Sequence, residues 1–135
     1  MRTIIATLGA SCLSVIFATH TLFGNPLGGV VVGGNGNATI AGEGTSLVTI
    51  NQNKARAIIN WESFNINAGE LTKFVQPSAT AAILNRVHSA NPSAIFGSLE
   101  GNGRVFVINP AGILVGASGV IDTRGFVAST FDISD

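Results

Sequence analysis

Glycine and asparagine cut this chain into short pieces, and that punctuation constrains its fold more than any other feature. Beyond residue 25 the apolar or β-prone runs are Val30–Val32, Ala38–Ile40, Leu47–Ile50, Ala57–Trp61, Phe64–Ile66, Thr72–Val75, Val105–Ile108, Ile113–Val115, Val120–Asp122 and Phe126–Thr130. Each is about 3–5 residues long, and Gly, Asn-Pro or Asn-Gly interrupts them every ~6–10 residues. A helix needs an apolar period held over several turns, which only the stretch 79–87 (ATAAILNRV) approaches. There, strand is preferred for Ala82–Leu84, with Asn85 ending it. The expected class is therefore all-β, with 17 Gly and 12 Asn available for bends.

Strands this short favour a parallel β-helix. Each coil of that fold strings several short strands around corners, and successive coils place like side chains on like. The interior is apolar, and Gly and Asn are expected at corners that need φ > 0. Residues 113–130 show such steps as ILVG, ASGVIDTR and GFVAST. Ala57, Ile59 and Trp61 share one strand face, while Val105–Ile108 is apolar on both, as in a strand covered on both sides. A sandwich or barrel, with longer strands and cleaner alternation, stays open as the alternative on pattern alone.

The first residues read differently. Met1-Arg2-Thr3 is followed by Ile4–Ala18, apolar or small throughout and without charge. This is the plan of a secretory signal peptide occupying residues 1–24, with the cut between 18 and 24, and it leaves a domain at 25–135. The apolar run, about 15 residues, is short of the ~20 that a membrane helix needs, and no later run is long enough to span. Cys12 is the only cysteine and falls within the leader, so the exported part carries no disulfide and depends on burial and hydrogen bonding. The residues before Cys12 lack the large aliphatic residue that opens a lipidation box.

Charge and chemistry narrow the function. Only 10% of residues are charged and the net charge is +0, so nothing steers a nucleic acid to the chain. His88 is the one histidine beyond residue 24, in a polar stretch that reads as surface. There is no zinc or calcium signature, and Gly101-Asn102-Gly103-Arg104 lacks the later Gly-Lys of a phosphate loop and reads as a corner. No enzyme activity, metal or cofactor is expected. The scattered carboxylates also argue against a β-helical polysaccharide lyase. Asn-Pro recurs at 25–26, 91–92 and 109–110. In Asn109-Pro110-Ala111-Gly112-Ile113 the asparagine can cap the turn, the proline fixes φ and Gly112 can take the left-handed corner.

Together these segments resemble a known family. Residues 54–87 (KARAIINWESFNINAGELTKFVQPSATAAILNRV), 91–130 and 131–135, with the opening at 25–52, are similar to the N-terminal secretion domain of filamentous-haemagglutinin-like exoproteins, the haemagglutination activity domain. IINW, SFNI, FVQP, LNRV, the Asn-Pro-x-Gly-Ile turn and a closing FVAST carry the resemblance in order. It implies a right-handed parallel β-helix with an N-terminal cap. It further implies export by a signal peptide and two-partner secretion in a Gram-negative bacterium. There, an outer-membrane β-barrel with periplasmic POTRA domains recognises the domain and passes the exoprotein, often an adhesin, to the surface or medium. Ala111 stands where the family's turn often has Asn, which puts any recognition role of that side chain in doubt.

Two groups of residues are singled out for recognition by the transporter or for nucleating the coil: the turn Asn109, Pro110, Ala111, Gly112 and Ile113, and Ile59, Asn60, Trp61 and Phe64. Apolar, low-charge strands such as these can add to a partner's sheet edge. The chain stops at Asp135, whereas relatives continue into further coils. The expectation is a β-helix truncated at its C-terminal end, with an open coil prone to end-to-end association. The alternatives are an adhesin module that binds host or glycan surfaces directly, and a non-functional gene fragment.

Overall fold

Corners rich in Gly and Asn hand the chain from one short strand to the next, and strands one coil apart stack. The computed structural model describes residues 24–132, and within it the chain winds into a parallel β-helix of about four turns. The strands are β1 (Val30–Val31), β2 (Ala38–Ala41), β3 (Leu47–Gln52), β4 (Arg56–Trp61), β5 (Leu71–Val75), β6 (Ala82–Val87), β7 (Ser93–Ile95), β8 (Ser98–Gly101), β9 (Arg104–Ile108), β10 (Ile113–Val115), β11 (Val120–Asp122) and β12 (Gly125–Ser129). A front sheet has the order β1-β4-β6-β9-β12 and a back sheet the order β11-β8-β5-β3-β2. The pair β7 and β10 makes a short third face.

Pairing between coils is parallel throughout, which decides for the β-helix over the sandwich. The first two strands break the pattern: β1 runs antiparallel to β4 and β2 antiparallel to β3. They form the N-terminal cap, occupying the hydrogen-bonding edges that the first coil would otherwise present to a foreign strand.

Register places like on like inside the coil. Val48, Thr72, Leu99 and Ile121 stand in one column, and Ala57, Ile83, Val105 and Phe126 in another. Trp61, Phe64, Phe74, Ile50, Ile59, Ile66, Ile83, Ile95 and Leu99 are fully buried there. Burying one such side chain contributes about 1.5–3 kcal/mol. Toward the last coil the inward Ile113, Ile121 and Phe126 are only partly covered.

Four local readings are corrected. Strand β6 runs through Asn85 to Val87, because Asn85 faces inward and its amide is bonded inside the core. Phe64–Ile66 is a corner rather than a strand, tied to the next coil by the single bridge Ile66↔Ile95. Strands β7 (SAI) and β8 (SLEG) were not expected, since neither carries an apolar run. Among the described residues positive φ occurs at Gly only, at 28, 33, 34, 42, 44, 69 and 112, and at no Asn. Asparagine serves the corners through its side chain instead. The leader, its cut site and Cys12 lie outside the described residues. Among the described residues no helix is long and apolar enough to cross a membrane.

Candidate functional site

A primary amide buried in an apolar interior is costly unless its donors and acceptor are matched. This coil buries several, and most of them bridge one turn to the next. Trp61 Nε1–H donates to Asn85 Oδ1 at 2.8 Å, and Asn85 Nδ2 donates onward to the Phe106 carbonyl at 3.1 Å. Three successive front strands are thereby linked through the core. The IINW and LNRV motifs are the two halves of this contact.

At the corner between the back and front sheets, Gln52 and Gln76 stack. Gln76 Nε2 donates to Gln52 Oε1 at 2.9 Å and to the Arg104 carbonyl at 3.2 Å, while its Oε1 accepts from Gly103 N–H at 2.7 Å. Gln52 Nε2 in turn donates to the carbonyls of Lys54 and Ala82. Asn102 clasps the Gln76 backbone from both sides, accepting from its N–H and donating to its C=O. Under the cap, Asn25 Nδ2 donates to the Thr45 and Leu71 carbonyls, and its Oδ1 accepts from Thr72 Oγ1. The buried Glu70 carboxylate accepts from the N–H groups of Gly24 and Asn67.

The turn at 109–113 has the geometry its sequence suggests. Asn109 is fully buried; its Oδ1 accepts from Ala111 N–H at 2.9 Å, and Gly112 N–H donates to its carbonyl. Gly112 has φ +120°. Asn109 Nδ2 also reaches the previous coil, donating to the Asn91 carbonyl and Ser93 Oγ, both at 3.1 Å. Pro110 is exposed, and Ala111, Gly112 and Ile113 are half-buried.

The second group lies at the same corner of the first coil. Ile59, Trp61 and Phe64 are buried, Trp61 and Phe64 meeting edge to face with ring centroids 5.9 Å apart. The indole lies against the cap, where a Cβ on Gly29 would come within 2.6 Å of it. Asn60 points outward, its Oδ1 buried without a hydrogen-bond partner. The two groups are not in one patch: Val87, which pairs with Trp61, lies in the coil between them. Asn25, Gln52, Gln76 and Asn85 escaped the sequence reading as functional positions. For Gln52, Gln76 and Asn85 the signal was a lone amide within or just after an apolar strand; Asn25 lies before the first strand and carried only its Asn-Pro pair. Among the described residues no three His, Cys, Asp or Glu side chains gather as a metal-binding group.

Known proteins with this pattern agree with the geometry. The family described as the TPS secretion domain matches residues 26–135. The crystal structure of the HMW1 secretion domain from Haemophilus influenzae superposes with a TM-score of 0.73 at 42% identity, covering 82% of this chain and 29% of that one. Two heme/hemopexin-binding proteins of Haemophilus influenzae are 37% identical over 98 residues and 35% identical over 108 residues. The matches take in 73% and 80% of this chain but only 11% and 12% of those proteins' length. With its capped parallel coil and its ordered motifs, the chain belongs to the family of TPS (two-partner) secretion domains.

Proposed function

We propose that this domain directs an exoprotein to an outer-membrane transporter, whose periplasmic POTRA domains recognise it and pass the protein to the cell surface or medium. The match to the secretion-domain family over residues 26–135 carries the reading. Its work is binding and folding rather than catalysis: among the described residues the buried side-chain polar atoms other than Asn60 Oδ1 are held in hydrogen bonds, most of them between coils. No haem or hemopexin binding is assigned to a segment that spans 11% and 12% of the proteins so named.

Ile59, Trp61, Phe64 and Asn109 serve coil assembly in this reading, because their side chains are enclosed once the coil forms. Pro110 and Ala111 remain accessible at the turn. The test is secretion of the 135-residue chain from cells with and without its transporter, scored in the medium by immunoblot. Appearance in the medium only with the transporter supports the reading, and retention in both cases overturns it. Asn109→Ala and Pro110→Ala belong in the same assay. Normal export of both would remove the turn from the argument. A glycan-binding screen of the folded domain tests the rival adhesin reading.

A further inference from the structure

The tripeptide Gly-Asn-Gly occurs twice, at 34–36 and at 101–103. Asn-Gly is the pair most prone to spontaneous loss of the side-chain amide, because glycine, without a Cβ, lets its backbone nitrogen swing onto the preceding side-chain Cγ. The tripeptide is identical in the two copies and both asparagines are exposed. What separates them is how the fold holds the reacting atoms.

Asn35 and Gly36 are the central residues of a turn in the cap, closed by Asn37 N–H donating to the Gly34 carbonyl at 3.1 Å. Among the described residues the Asn35 carboxamide and the Gly36 N–H have no hydrogen-bond partner. Gly36 is exposed, and apart from its chain neighbours nothing lies within 4 Å of where its Cβ would stand. Asn102 is the reverse. Its Oδ1 accepts from Gln76 N–H at 2.7 Å and its Nδ2 donates to the Gln76 carbonyl at 2.8 Å. Gly103 is buried, and its N–H, the group that would attack, donates to Gln76 Oε1 at 2.7 Å. On its other side the Gly103 carbonyl accepts from Arg124 N–H. Ring closure at Asn102 must break the two clasp bonds and the Gly103 N–H bond together, whereas at Asn35 only the turn bond is at stake.

We propose that Asn35 deamidates in the folded chain and that Asn102 does so only while the chain is unfolded. Gly36 N attacks Asn35 Cγ. The N–Cγ bond forms, the Cγ–Nδ2 bond breaks, and the side-chain nitrogen leaves as ammonia with the proton from Gly36. Water then adds to one of the two carbonyls of the five-membered ring and opens it, to aspartate or to isoaspartate. Either product adds one negative charge to a chain of net charge +0. At position 35 no side-chain hydrogen bond is lost. At position 102 an aspartate has no N–H for the Gln76 carbonyl and sets a carboxylate oxygen against it, and an isoaspartate lengthens the backbone where Gly103 is enclosed. A chain that waits unfolded until Asn102 converts therefore loses the Gln76 joint when it folds. The inference stands apart from the secretion reading.

The test incubates the folded chain at mildly alkaline pH beside the same chain in urea. Peptide mass mapping then separates asparagine, aspartate and isoaspartate at both positions. In the folded chain position 35 is expected to convert at least about tenfold faster than position 102. In urea the two should convert at rates within about twofold, since their tripeptides are the same and the fold is gone. Equal rates in the folded chain, or no conversion at position 35, overturn the proposal. A difference of the folded size that persists in urea also overturns it, because the cause then lies outside the fold. Thermal melting reads the consequence. Asn35→Asp should melt as wild type, and Asn102→Asp should melt lower or fail to fold. Wild-type melting of Asn102→Asp overturns the claim that conversion there breaks the joint.

Discussion

The bond from Trp61 to Asn85 offers the sharpest test of how the coil is held. Both residues are essentially inaccessible and the Nε1···Oδ1 distance is 2.8 Å. Trp61→Phe removes the donor and leaves the Asn85 carbonyl dry, which costs about 1–3 kcal/mol. Loss of the outer indole ring against Gly29 adds a cavity cost, for a total of about 3–4 kcal/mol. Asn85→Leu keeps the branched outline of the side chain at greater volume, but strands the indole N–H and drops the bond to the Phe106 carbonyl, about 2–3 kcal/mol. In the double variant neither member of the pair is left unmatched, and the column through Ile59, position 85 and Val107 is apolar from end to end. The double variant should therefore be more stable than the summed single losses imply, by about 1–2 kcal/mol. Urea unfolding followed by far-UV circular dichroism measures the cycle. Fluorescence does not serve, because Trp61 is the only tryptophan. Equal m-values across the four proteins license the comparison. Additivity within about 0.3–0.5 kcal/mol would refute the claim that this bond couples adjacent coils.

Four further outcomes follow from the same structure. Gln76→Ala strips partners from Gly103 N–H, Gln52 Oε1 and the Arg104 carbonyl at once, and should cost about 2–4 kcal/mol in urea unfolding. Gly103→Ala would place a Cβ 2.8 Å from the Gln76 carboxamide and 2.9 Å from the Ala81 carbonyl, so a loss of about 1–3 kcal/mol is expected in the same assay. Ala111→Asn, which restores the family's commoner turn residue at a half-buried site, should change stability by no more than about 0.5 kcal/mol; a larger thermal-melt shift would contradict that. The partly covered Ile113, Ile121 and Phe126 should make the isolated chain associate end to end, read as a concentration-dependent sedimentation coefficient. A sharp monomer at all concentrations would contradict the expectation.

The sequence disclosed the class and the stacking principle but not the polar joints. Ala57, Ile59 and Trp61 recur at every second position, as one face of a strand demands, and all three are buried. Asn109 capping Ala111 could be read from Asn-Pro-x-Gly alone, because that contact is local. Asn85 could not, because its partners are the Trp61 indole and the Phe106 carbonyl, one coil away on either side. A local rule sees an asparagine after Ile-Leu and ends the strand there. Strands β7 and β8 escaped for a related reason. SAI and SLEG have little intrinsic preference for β structure and are held extended by neighbours, Ser93–Ile95 by Ile113–Val115 and Ser98–Gly101 by β5 and β11.

The placement of the buried amides also bears on register. An interior built only of stacked Ile, Val and Leu columns is nearly indifferent to which strand stacks on which, since a slip by two residues exchanges one aliphatic contact for another. Asn85, Gln76 and Asn109 remove that indifference. Each is matched only when its partner stands one coil away in the observed register, and a slipped pairing would bury at least one amide unmatched, at about 1–3 kcal/mol per group. The amides add little net stability over apolar residues of the same size. They penalise the alternatives instead. Such a penalty matters most for a chain whose cross-links cannot set its register, and this one has no cysteine beyond residue 12. The order in which IINW meets LNRV, and FVQP meets the Gly103 corner, is then the order in which coils can stack.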